Sequence, residues 1–282
     1  VTLGHEFCGV IEKVGKDVTK FKVGDHVSVN PTVTHGKVPD NVDVYDGYSF
    51  IGLACDGGLA PLVNIPEENL YLLPKDFPLR IAATIEPTAV AVQAIKEGGL
   101  KFGENVAIFG AGPIGVLVAA AAKASKIIVS DLSEVRLKKA LEMGATDVIK
   151  SDQEDAVKKI KELVPGGVDV SFEVAGVKPT FDQAIEATKA RGTMVIVAIY
   201  GHPIEFNPMQ LTNTGVKITS TIAYSRETFQ QTVDLVTKGS LVVEPVITKE
   251  ITIDQVVSDG FETLTNDKAQ AKILINVDGE DD

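Results

Sequence analysis

Apolar positions along this chain follow two different rhythms. Beyond Leu79, short apolar runs alternate with longer stretches in which apolar residues recur at helical spacing. The runs predict strands over 106–109, 127–130, 147–149, 169–172, 193–198 and 217–221, and the stretches between them predict helices over 112–123, 133–143, 153–164 and 179–189. Strand and helix in regular alternation specify an α/β fold with a doubly wound parallel sheet. A helix-like segment over Ile81–Glu97, with Pro87 near a bend, leads into it. After Tyr224, an amphipathic helix is expected from Arg226 to Lys238, then β-rich runs around Val246, Ile251 and Ile273.

Before about Pro74 the runs are shorter and broken by glycine, proline and aspartate: Gly9–Val14, Val27–Val29, Leu62–Ile65 and Leu70–Leu73. This half reads as a β-barrel-like region, with Gly24-Asp25 supplying a turn into the second run. The polar, glycine-rich segment from Pro31 to Gly58 is an excursion on the surface or a small lobe, with no metal-ligand spacing in it. The last segment is expected to rejoin the first domain, which divides the chain into a β-rich domain of 1–86 plus 224–282 and an α/β domain of 87–223.

With 282 residues and 44% apolar composition, a large core can be buried, in about two domains. A net charge of −12 opposes phosphodiester backbones and anionic lipid, so neither nucleic acid nor membrane is an expected partner. Two cysteines, Cys8 and Cys55, are too few for a disulfide framework or a four-thiolate zinc lobe, and a reducing cytoplasm fits them. No apolar stretch has the length of a membrane span, and no secretory leader is read at the start.

Two places carry candidate chemistry. Gly110-Ala111-Gly112-Pro113-Ile114-Gly115 joins a predicted strand to a predicted helix, and Asp131 follows the next strand, 21 positions beyond Gly110. This is the order of a Rossmann dinucleotide site: the first glycine allows the tight turn, the second lets the backbone approach the pyrophosphate, and the third lets helix pack on strand. The helix start offers unpaired amides to phosphate. Asp131 is placed for the adenosine ribose hydroxyls and would repel a 2′-phosphate, which favours NAD over NADP. Arg136 is weighed between lying over the adenine and pairing with a neighbouring carboxylate. Val174 and Ile199 end later strands at the edge of the sheet where the cofactor lies in this architecture.

The second place is Gly4-His5-Glu6, where adjacent imidazole and carboxylate are either zinc ligands or a locally hydrogen-bonded structural pair. Glu86, before Pro87, reads by itself as a helix-start carboxylate. His26, His35 and His202 have no partner at ligand spacing and are read as surface or turn residues.

Taken together, Gly4-His5-Glu6-x-x-Gly9, Val23-Gly24-Asp25-His26-Val27, Glu86-Pro87-Thr88-Ala89-Val90 and the Gly110–Gly115 turn resemble the zinc-dependent medium-chain dehydrogenases. Phe50-Ile51-Gly52-Leu53 and Lys268-Ala269-Gln270-Ala271-Lys272-Ile273-Leu274 are similar to the butanediol and sorbitol dehydrogenase branch. The resemblance implies a GroES-like catalytic domain beside the Rossmann domain. It also implies one catalytic zinc at His5 and Glu6 with Glu86 as an alternating or water-binding ligand, and hydride exchange between NAD(H) and a secondary alcohol or ketone, such as 2,3-butanediol and acetoin. It further implies a homo-oligomer, dimer or tetramer. No structural zinc is expected, and Cys8 is read as a small buried apolar residue. The family's cysteine ligand precedes Gly-His-Glu, so an N-terminally truncated chain is expected. The Lys123-Ala124-Ser125-Lys126 connection is shorter than the family's glycine-containing turn. Two other readings stay open: a zinc-free quinone or enone reductase of the same superfamily, and an NAD-binding remnant without catalysis.

Overall fold

The computed structural model describes residues 1–34 and 48–278, and contacts divide the chain into two units, Val1–Ala89 with Ala223–Asp282 and Val90–Ile222. His35 lies outside the described residues.

In the first unit, β1 (Cys8–Val10) pairs antiparallel with β2 (His26–Val29). The run expected to Val14 ends at Val10 because the chain there turns its hydrogen bonds to the Gly24-Asp25 turn: Ile11 N–H reaches Asp25 O and Gly24 N–H reaches Ile11 O, both at 2.9 Å. Within the segment read as irregular, β3 (Thr32–Thr34) and β4 (Tyr48–Phe50) form an antiparallel pair. β5 (Leu70–Leu72) joins the free edge of β2, with Val27 opposite Leu72. Leu62–Ile65 forms no strand. Pro61 and Pro66 flank it, and each removes an N–H that a ladder would use.

The predicted helix from Ile81 to Glu97 is two helices, α1 (Leu79–Ala82) and α2 (Ile85–Gly98), with the break at Ala83-Thr84 rather than at Pro87. Pro87 is the third residue of α2, where the backbone N–H has no intrahelical acceptor and none is lost.

The second unit alternates as expected: β6 (Asn105–Phe109), α3 (Pro113–Ala122), β7 (Lys126–Asp131), α4 (Glu134–Glu142), β8 (Asp147–Lys150), α5 (Ala156–Leu163), β9 (Val168–Glu173), α6 (Lys178–Ala187), β10 (Thr188–Ile196), α7 (Met209–Thr214) and β11 (Lys217–Ser220). The six strands make one parallel sheet in the order β11-β10-β9-β6-β7-β8. Phe109, Ile128, Ile149, Phe181, Ile185 and Met194 fill the core on one side of it. The order reverses direction between β6 and β9, and a switch point of this kind opens a crevice beyond the carboxyl ends of those strands.

Differences from the expected bounds have local causes. α5 starts at Ala156 because the Asp155 side chain accepts from Lys158 N–H at 3.0 Å and caps the helix there. β10 begins five residues early, at Thr188, through a register shift before Thr193 that includes Arg191 at φ 63°. α7 was not expected, because Met209–Thr214 is largely polar and carries no apolar stripe.

The chain then returns to the first unit with α8 (Arg226–Thr237), capped by Ser225, followed by β12 (Ile247–Thr252), α9 (Glu262–Asn266) and β13 (Lys272–Asn276), with β12 parallel to β13. Among the described residues the strands of this unit form a three-stranded sheet and two separate pairs, not one closed ring of ladders.

Candidate functional site

Residues 57–59 hold the backbone of Thr2–Gly4, which leads into His5-Glu6. Gly57 N–H donates to Thr2 O, Gly58 N–H to Gly4 O and Leu59 N–H to Leu3 O, all at 2.8–2.9 Å. A side chain at Gly52 would put its Cβ 2.1 Å from Gly4 O, so glycine is required for this approach. The His5 ring meets Phe50 edge-on at 5.9 Å between centroids. Glu86, the second residue of α2, is buried on the same side, and ligand atoms of His5, Glu6 and Glu86 all lie within 4.8 Å of one another.

Each of these carboxylates has one further partner. Lys272 of β13 donates its ammonium to Glu6 Oε2, while Glu6 Oε1 is 3.9 Å from His5 Nε2. The Tyr224 hydroxyl donates to Glu86 Oε1 at 2.6 Å. Burial, then the negative charge of Glu6, pushes the Glu86 carboxyl up to about 8, against the pull of Tyr224 and Lys272. Burial, with Glu86 beside it, holds the Tyr224 phenol well above the usual tyrosine range.

The donor set fits zinc. One imidazole and two carboxylates are nitrogen and oxygen ligands of the kind that ion takes in open, catalytic sites. The electrostatics also fit, because two neighbouring acids with one of them buried are offset by a single lysine, and a divalent cation would offset both. Among the described residues no other group of three such side chains converges. Cys8 is half-buried rather than buried, and its thiol donates to Leu79 O at 3.0 Å. Cys55 is exposed. His26 is in β2 and not in a turn, with Nδ1 buried and without a hydrogen-bond partner, whereas His202 is exposed.

In the second unit the predicted dinucleotide residues gather at the carboxyl ends of the strands. Gly110 follows β6 at φ 110°. A Cβ on Gly115 would come 2.0 Å from Gly110 O, which is the close packing of turn on helix. A Cβ on Gly112 would meet nothing within 4 Å, so open space lies where a pyrophosphate would approach. Pro113 and Ile114 open α3. Asp131 ends β7, with Oδ2 accepting from Ala111 N–H at 2.7 Å and Oδ1 from Ser133 N–H at 2.8 Å. Each carboxylate oxygen has a second lone pair left for a ribose hydroxyl. Arg136 is in the first turn of α4. Val174 follows β9, its N–H bonded to Phe109 O at 2.9 Å, and Ile199 is 87% exposed beyond β10.

Residues 1–75 match the model of the alcohol dehydrogenase GroES-like domain, and residues 110–238 match that of the zinc-binding dehydrogenases. The (R,R)-butanediol dehydrogenase of Neisseria gonorrhoeae is 39% identical over 98% of this chain and 80% of its own. The chain belongs to the zinc-dependent medium-chain dehydrogenases. Among solved structures, the dehydrogenase resembles the 2R,3R-butanediol dehydrogenase of Bacillus subtilis, with 37% identity, a TM-score of 0.90, and coverage of 98% of this chain and 81% of that one. It also resembles a protein of Sinorhizobium meliloti described as a zinc-binding dehydrogenase bound to NADP, at 29% identity and a TM-score of 0.91, over 98% of this chain and 84% of that one. An oxidoreductase with zinc and a nicotinamide dinucleotide follows from membership. No helix among the described residues is long and apolar enough to cross a membrane.

Three residues of the dehydrogenase escaped the sequence reading. Lys272 lies in the segment 268–274, similar to the butanediol branch, but nothing in the sequence couples it to Glu6. Tyr224 stands just past a strand with no motif around it. Glu173, at the end of β9, is buried and accepts from Ala175 and Gly176 N–H at 2.9 Å and from the Thr180 and Tyr200 hydroxyls at 2.7 Å. It ties the turn after β9 to the segment after β10, and burial with its charge holds the Tyr200 phenol above the usual range.

Proposed function

We propose that this dehydrogenase interconverts a vicinal diol and its acyloin, of the 2,3-butanediol and acetoin kind, using NAD(H) and one zinc held by His5, Glu6 and Glu86. The observation that carries the reading is the meeting of those three side chains within 4.8 Å from positions about 80 residues apart. The substrate class is supported by the names of the butanediol dehydrogenases to which the chain is similar. When bound, zinc polarises a carbonyl or stabilises an alkoxide while the nicotinamide gives or takes hydride.

The chain's own residues supply position and charge. His5 follows a backbone, Thr2–Gly4, whose carbonyls accept from the N–H groups of 57–59, and its ring packs edge-on against Phe50. Lys272 holds one oxygen of Glu6, and Tyr224 holds one oxygen of Glu86, so neither acid is at liberty to rotate. At the other site Gly112 leaves the pyrophosphate its room, and Asp131 takes ribose hydroxyls while repelling a 2′-phosphate, which supports NAD over the NADP found in the Sinorhizobium relative. Arg136, Val174 and Ile199 complete the proposed cofactor contacts. A small dimer or tetramer is proposed with them.

The test is turnover of acetoin with NADH and of butanediol with NAD, before and after chelation. Activity that disappears on chelation and returns with added zinc is expected. Absence of turnover with zinc bound defeats the proposal, and turnover indifferent to chelation assigns the chain to the zinc-free reductases.

A further inference from the structure

Ala223 has a left-handed backbone, φ 53°, although it is not glycine. Such a conformation is unfavourable for an alanine and persists where the surroundings impose it. The strain precedes Tyr224, which is 2% exposed and packs its ring on Phe229 with centroids 5.4 Å apart. A phenylalanine would fill that space equally well. The hydroxyl adds a bond to Glu86 Oε1 at 2.6 Å, 138 residues away in sequence. Glu86 itself is buried in the first turn of α2, with the ligand atoms of His5 and Glu6 close by.

We infer that Tyr224 is a positioning residue of the metal centre, turned inward by the left-handed step at Ala223 so that its hydroxyl fixes the Glu86 carboxylate with one oxygen committed and the other left for the ion. The inference rests on the metal reading of Glu86 given above. Its physical basis is the general one for ligand carboxylates: a partner that holds the carboxylate lowers the entropy lost on binding, and removing such a partner costs about 10- to 100-fold in metal affinity. Tyr224 touches neither the ion nor substrate in this role. It acts through Glu86.

The experiment measures zinc affinity of the 282-residue chain by competition with a chromophoric chelator, and the visible spectrum of the cobalt-substituted form, for the unaltered protein, Tyr224→Phe, Glu86→Gln and the double variant. NADH binding and circular dichroism check that each is folded. Tyr224→Phe is expected to weaken zinc about 10-fold or more and to change the cobalt bands, because the hydroxyl is lost while the ring is kept. The double variant is expected to be no weaker than Glu86→Gln alone, since the tyrosine acts only through that carboxylate. An affinity and spectrum unchanged in Tyr224→Phe, with Glu86→Gln impaired, overturn the inference and spare the metal reading. Losses that multiply in the double variant also overturn it. No zinc uptake by the unaltered chain, or none lost in Glu86→Gln, overturns both.

Discussion

At the scale of single residues, the most informative group is Glu86. In the metal-free native chain its carboxyl keeps its proton until about 8, through burial and the charge of Glu6, while in the unfolded chain it releases it near the ordinary carboxylate value of 4.5. The native state therefore binds more protons between those values, and stability falls as pH rises across that window. Chelator-treated protein is expected to melt lower at pH 8.5 than at pH 6, and Glu86→Gln, which cannot ionise, should flatten that part of the profile. An unchanged slope in the variant would show that other groups produce it. Asp131 makes a second residue-scale case. Its carboxylate receives two backbone N–H groups, so Asp131→Asn should weaken NADH about 10-fold, a loss of ~1.4 kcal/mol, and narrow the preference over NADPH. Fluorescence titration with the two cofactors measures both changes.

At the scale of elements, helix ends decide much of what the pattern leaves open. The turn after α3 places Lys123 in the left-handed region, φ 44°, in the connection already conspicuous for lacking the family's glycine. Lys123→Gly is expected to stabilise the chain by about 1 kcal/mol, and Asp155→Ala, which removes the cap of α5, to destabilise it by about the same amount. Denaturant unfolding distinguishes the two signs. The strands of the Rossmann sheet and the helices α3 to α6 were legible because each apolar run is bounded by turn residues and each of these helices carries enough apolar positions to pack on the sheet, which α7 does not. Short elements were not. Thr32–Thr34 and Tyr48–Phe50 pair with each other without an apolar signature, and Leu62–Ile65 is a short β-rich run with prolines on either side. The candidate site was legible in part. The glycine turn and Asp131 are local in sequence, and the fold brings them together through adjacent strands. The grouping of His5 and Glu6 with Glu86 came from resemblance alone, because no local rule joins residues so far apart. Tyr224 and Lys272 reach the site only through the return of the chain after Ile222.

At the scale of the whole molecule, the two units carry the two proposed ligand sites separately: the metal cluster belongs to Val1–Ala89 with Ala223–Asp282, and the glycine turn and strand ends belong to Val90–Ile222. A ligand that binds only the folded state stabilises by an amount set by its concentration over its dissociation constant, about 2.7 kcal/mol at a hundredfold excess. Hydrogen exchange should therefore answer differently to each. Zinc is expected to slow exchange most in the His5-Glu6 segment and β1 just after it, at the start of α2 and in β13, because His5 and Glu6 immediately precede β1, Glu86 lies in α2, and Lys272 of β13 holds Glu6. NADH is expected to protect the amides that follow β6, β7 and β9. Phe172→Ala supplies the contrast: its ring is fully buried in β9, and its loss should cost ~3–5 kcal/mol in the second unit. In that variant NADH protection is expected to weaken while the zinc-dependent slowing in β1 and β13 persists. If zinc and NADH instead protect the same amides to the same degree, the two sites are not separate in energy, and the assignment of one ligand to each unit fails.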